Sequence, residues 1–237
     1  MDYLDRMSCS TGDYFEDYFI KKENQNMSMI VKSEGNTSIE RLEDGVYTAV
    51  SSMLVDLGKQ VSEKYKTSSR RCIIVWQILN EFIEVNGEQL PRVMSKEYTM
   101  SLQEKSNLRK DLQAWRGKQF TQEELDGFDL YQIINRGCQL QILNTENNGK
   151  TYTNIVSIMS LPKGTEINPV EKTLIFDMEN KETWNRYLEL PKWMQDRIKQ
   201  SENFSVNGFN NYVEEYEKMQ NELTDRDVAI PKDDLPF

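Results

Sequence analysis

Gly45-Val-Tyr-Thr-Ala-Val-Ser-Ser-Met-Leu-Val-Asp-Leu-Gly58 reads as one long β-strand, rich in β-branched residues and bounded by glycines. A polar, Lys- and Ser-rich loop over 59–69 follows. Arg70-Arg-Cys-Ile-Ile-Val-Trp-Gln-Ile78 is then a second strand, strongly β-branched and aromatic. Asn86-Gly87 marks a turn between the short run Phe82–Val85 and a third strand over Leu90–Met100. At Ser101 the period changes. Ser101 with Glu104 fits a capping box, and Leu102, Leu108, Leu112 and Trp115 share a helical face that ends at Gly117. Thr121–Glu124 is a second capping box, and Asp129–Ile134 adds a turn. Cys138-Gln-Leu-Gln-Ile-Leu143 alternates as a strand, Asn147-Asn-Gly149 turns the chain, and Thr151–Met159 returns.

The order is three strands, a helix, then two strands. It matches the OB-fold, a five-stranded, partly open barrel with a helix between strands 3 and 4. The expected fold class is therefore mainly β with helices (α+β). Beyond Pro162-Lys-Gly164 the pattern weakens. Trp184, Tyr187, Leu190, Trp193, Met194 and Ile198 point to one or two amphipathic helices packed on the barrel. The expected organisation is a flexible acidic extension over 1–28, a barrel over 29–165, a helical extension over 166–212 and a flexible acidic tail over 213–237.

Composition excludes several chemistries. Histidine is absent from all 237 residues, which removes Ser-His-Asp and Cys-His hydrolases. Cys9, Cys72 and Cys138 are widely spaced and form no CxxC pair, so neither a zinc site nor a disulfide framework is expected. Asn148-Gly-Lys-Thr151 lacks the first glycine of a phosphate-binding loop. Asp56, Glu81, Glu97 and Asp111 show no spacing of a two-metal nuclease. No enzyme activity, metal or cofactor is expected, and no apolar run is long enough for a membrane span. The net charge of −10 is uneven. Residues 40–164 hold 16 acids and 16 bases, the first 39 hold 7 and 4, and the remainder 16 and 9. A neutral body with acidic ends can still carry a basic groove.

The last residues, Asp233-Asp-Leu-Pro-Phe237, place a ring and a terminal carboxylate behind two acids. By composition alone this is an ordinary acidic end. It resembles the Asp-Asp-Asp-Ile/Leu-Pro-Phe tip of bacterial single-stranded DNA-binding proteins, with Lys232 in place of one Asp. A second resemblance covers roughly residues 30–200. Gly45–Ala49, Asp56–Gly58, Tyr98–Gly117 and Gly149–Ile155 are similar to a family of phage proteins from replication and recombination modules, regarded as single-stranded DNA-binding with an OB-like fold.

Together these imply a sequence-tolerant single-strand binder in the cytoplasm of an infected bacterium. Its tip, Asp233, Asp234, Leu235, Pro236 and Phe237, would recruit replication, recombination or repair proteins. Self-association is left open. Binding a single strand takes cations along the phosphates and flat rings under the bases. Candidate cations are Lys64, Lys66, Arg70, Arg71, Arg92, Lys96, Arg109, Lys110, Arg116, Lys118 and Lys150; candidate rings are Trp76, Tyr98 and Tyr152. Trp76 lies in a nearly continuous apolar strand, which suits a core position as well. The rival reading is an adaptor that displays the same tip, mimicking the host binder's tail, without binding DNA.

Overall fold

The computed structural model describes residues 41–62, 66–85 and 88–228. Strands β1 (Gly45–Ser62), β2 (Thr67–Val85), β3 (Glu88–Thr99), β4 (Gly137–Asn147) and β5 (Lys150–Met159) lie in the order β3-β2-β1-β4-β5, each antiparallel to its neighbour. A three-residue strand, β6 (Leu174–Phe176), pairs in parallel with Met53–Val55 of β1. The molecule is thus mixed α/β around a mostly antiparallel sheet. The two outer strands, β3 and β5, approach each other without forming a ladder, so the sheet is curled and partly open.

Local chemistry explains the connections. Asn148 and Gly149 both adopt positive φ (49° and 74°), the backbone of a tight hairpin turn that Asn-Gly tolerates best. The 59–69 segment, expected as a loop, is mostly strand. Its ladder runs from Lys59↔Arg70 to Ser62↔Thr67, because backbone pairing continues there between mostly polar residues, with Gln60 Nε2 donating to Arg197 O at 2.9 Å on the C-terminal layer. The runs expected at 70–78 and 82–85 are one strand, β2, interrupted at a left-handed Asn80 where pairing to β3 skips from Gln77 to Phe82. Asn86-Gly87 lies outside the described residues.

The first helix, α1, spans Asn107–Arg116, five residues later than the Ser101 box predicts. The Ser101 hydroxyl instead accepts from Gln103 N in a local turn, the usual competitor of a helix start. Leu108, Leu112 and Trp115 are buried, and Gly117 (φ 66°) closes the helix in the left-handed region. The second capping box forms as expected, opening α2 (Gln122–Asp126) through Thr121 and Glu124. A 3₁₀ turn follows at Leu130–Ile133.

Two apolar clusters lie on the two faces of the sheet. The inner one joins Ala49, Leu54, Cys72, Ile74, Trp76, Met94 and Tyr98 to Leu140, Ile142, Ile155 and Ile158, and α1 closes over it. The outer one covers only β1, β2 and β3, where Val55, Leu57, Ile73, Val75 and Val93 meet Phe176, Trp184, Tyr187, Met194, Ile198 and Phe209. These come from β6, a 3₁₀ helix (Lys181–Glu189), α3 (Lys192–Lys199) and α4 (Phe209–Val228). The expected amphipathic segment is thus a full second layer. Gly58 marks how closely it sits. At φ 71°, a Cβ there would come within 2.3 Å of Met178 Cε and 2.5 Å of Asn203 Oδ1. The expected boundary at 212/213 falls inside α4, whose Val213 is buried. No helix among the described residues is long and apolar enough to cross a membrane.

Candidate nucleic-acid interface

The structure separates the candidate DNA-contacting residues into three groups. Two of the rings expected to stack on bases belong instead to the interior. Trp76 is fully buried against Trp115, with ring centroids 5.7 Å apart, because it points inward on a strand covered on both faces. Tyr98 is 3% exposed, and its hydroxyl donates to Asp111 Oδ2 at 2.8 Å. Burial, reinforced by the Asp111 charge, holds its pKa well above the ordinary tyrosine value. Neither ring has a face free for a base. Arg92 is also buried.

The second group is ion-paired within the molecule. Arg70 contacts Asp56 Oδ2 at 2.8 Å, Asp177 Oδ1 at 3.0 Å and Glu179 at 2.9 Å. Burial alone would lower its pKa, but the hydrogen bond and charge of Asp56 outweigh that and raise it, so the guanidinium stays charged. Arg71 and Arg197 share Glu97, at 3.1 and 2.9 Å. Lys96 meets Asp111 at 2.8 Å. Arg116 pairs with Glu124 and stacks over Phe120 and Phe128 at 4.5 and 5.0 Å, and Lys118 reaches the same carboxylate at 3.4 Å. Five of the expected phosphate ligands therefore already have carboxylate partners. Arg70 and Arg197 tie the C-terminal layer to the sheet.

The third group remains available. Lys66 lies at the β1–β2 tip, Lys150 at the β4–β5 turn, and Arg109 and Lys110 on α1; none forms an ion pair with a described residue. Arg109 donates to Leu102 O at 3.2 Å. Lys59, beside the same β1–β2 tip, is exposed too. Tyr152 is half-exposed on β5. Lys64 and the tip Asp233–Phe237 lie outside the described residues. Sequence reading missed Phe82, at 54% the most exposed aromatic ring among the described residues. Its signal was position, just beyond the Asn80 break and opposite Pro91.

A hollow of about 170 Å³ opens between sheet and C-terminal layer, lined by Leu54, Met100, Phe128, Tyr131, Phe176, Arg70, Asp56, Asp129 and Asp177. Tyr131 donates its hydroxyl proton to Asp177 Oδ2 at 3.1 Å. Three acids around one already paired arginine make this hollow unfavourable for phosphate. Among the described residues no His, Cys, Asp or Glu group is arranged to hold a metal ion.

The outer face of β4, β5 and the start of β1 differs from all of this. Register and alternation place Thr48, Gln139 and Met159 in one row, Val46, Gln141 and Ser157 in the next, and Leu143 with Asn154, then Thr145 with Tyr152, beyond them. No Asp, Glu, Lys or Arg lies in these rows, and the outer apolar cluster includes no residue of β4 or β5; Leu161 and Ile167 pack at the border of this face, over Gly137. Compared with protein families and with curated protein sequences, the chain matches no family model and no curated sequence.

Proposed function

We propose that this chain binds single-stranded DNA without sequence preference, on an OB-type body whose acidic tip recruits replication, recombination or repair proteins of an infected bacterium. The observation that carries the reading is the placement of cations that form no ion pair with a described residue. In a five-stranded, partly open Greek-key barrel, oligonucleotides are held by the strand 2–3 face and by the loops joining strands 1–2 and 4–5. The strand path β3-β2-β1-β4-β5, with α1 between β3 and β4, is compatible with that connectivity. Lys59 and Lys66 flank the first of those loops and Lys150 the second. Much of the outer β2–β3 face is under the C-terminal layer, so the strand path here runs over the loops and α1 (Arg109, Lys110). The reading involves no catalytic step and no cofactor.

Fluorescence-anisotropy titration of labelled oligo-dT at two salt concentrations, against a matched duplex, tests it. Tight, salt-weakened binding to oligo-dT with weak duplex binding is expected; absence of binding at low salt rejects it. A second reading is favoured by the five ion-paired cations and the covered β2–β3 face: an adaptor that presents the tip and leaves DNA alone. It predicts a partner protein captured by residues 230–237 with no mobility shift on oligonucleotides.

A further inference from the structure

Strand β5 pairs with β4 alone among the described strands, and over Thr151–Met159 it carries no charged side chain. Exposed edge strands usually carry charges that block pairing with other chains. The sheet face it borders is charge-free as well. Val46 and Val156 are 54% and 45% exposed there, among Thr48, Gln139, Gln141 and Asn154. In a chain with 29% charged residues, an uncharged outer face spanning three strands is a marked depletion, and depletion of charge is what distinguishes the centre of protein interfaces.

We infer that this face, the outer side of β4, β5 and the start of β1, is a self-association surface whose occupant is a second copy of this chain. Charge selects that occupant. A nucleic acid would find no cation on the face; Lys150 stands at its rim, on the turn. Two copies that each carry −10 repel one another, and contact costs least where neither presents charge. Amides and hydroxyls also suit self-pairing, since Gln, Asn and Thr both donate and accept. Across a two-fold axis the same side chains meet each other. The repulsion elsewhere makes association strengthen as salt is added, opposite in sign to phosphate binding.

Sedimentation equilibrium of the full 27.9 kDa chain, without DNA, tests this. The expected result is a reversible dimer, tighter at high salt. Val156→Glu should weaken it by roughly tenfold or more through like-charge repulsion, with an unchanged far-ultraviolet spectrum. Mixing Val156→Glu with Val156→Lys should restore a heterodimer, which keeps the test independent of any folding defect. Val206→Glu, at an equally exposed valine elsewhere, should dimerise as the parent does. A parent chain that stays monomeric up to about 100 µM, or a Val156→Glu chain that dimerises unchanged, overturns the inference.

Discussion

The outer surface of one sheet behaves in two ways. On β1, β2 and β3 it carries Val55, Leu57, Ile73, Val75 and Val93 and lies under the C-terminal layer. On β4 and β5 it carries Gln139, Gln141, Asn154 and Tyr152, and the outer apolar cluster leaves it open. The primary sequence already encodes the difference. Ile73-Ile-Val-Trp76 is apolar at every position, as a strand covered on both faces must be, whereas Cys138-Gln-Leu-Gln-Ile142 alternates, as a strand covered on one face does. An unbroken apolar strand thus signals a second layer that has yet to be found in the sequence. Here that layer is Leu174–Val213.

The largest expected effect that would break this contrast is in the covered half. Phe176→Ala should cost about 3–5 kcal/mol in urea unfolding, since the ring is fully buried in the outer cluster and packs on Tyr187. Phe209→Ala should fall in the same range of about 3–5 kcal/mol, because its ring lies within 5.2–5.6 Å of Trp184, Tyr187, Phe176 and Phe204. Gln141→Ala and Tyr152→Ala on the open half should stay within roughly 0.5 kcal/mol. Equal losses in the two halves would refute the layer assignment.

A smaller effect concerns the seam between the layers. Asp56→Asn removes the buried carboxylate that anchors Arg70, leaving it to Asp177 and Glu179. With Arg70 a quarter exposed, solvent screening limits the loss to about 1–2 kcal/mol.

The pH profile probes the inner cluster, to which Cys72 and Tyr98 belong. Burial, then the nearby carboxylates of Asp56 and Glu97, pushes the Cys72 thiol from 9.0 up to about 12. Below pH 9 the thiol is protonated in both the folded and unfolded chain, so its contribution is complete. Above that the unfolded chain loses its proton first, and stability should decline between pH 9 and about 12. Tyr98 acts in the same direction. Cys72→Ala should flatten part of that decline in denaturation midpoints measured against pH.

Much of the sheet was legible because period-2 alternation and Asn-Gly turns are local signals. The β4–β5 hairpin, the Thr121 box and the Gly117 stop were read directly from neighbouring residues. Three features were not. The Ser101 box misplaced the helix start because a serine can satisfy either a helix or a local turn. β6 is three residues long, too short to show any period. The ion pairs of Arg70, Lys96 and Arg116 join residues 8 to 109 positions apart, so their carboxylate partners emerge only when strands and helices are packed. The candidate interface was therefore the least legible part. A sequence displays every cation, and only the fold shows which are already neutralised.

That distinction makes the most direct test. In the oligo-dT titration across salt, Lys66→Ala combined with Lys150→Ala should weaken binding several-fold and reduce the slope of log K against log salt by about 0.7 for each phosphate that no longer meets a cation. Lys96→Ala, which removes a cation already held by Asp111, should leave the slope unchanged. An unchanged slope for the double variant, or an equal loss for Lys96→Ala, would contradict the account.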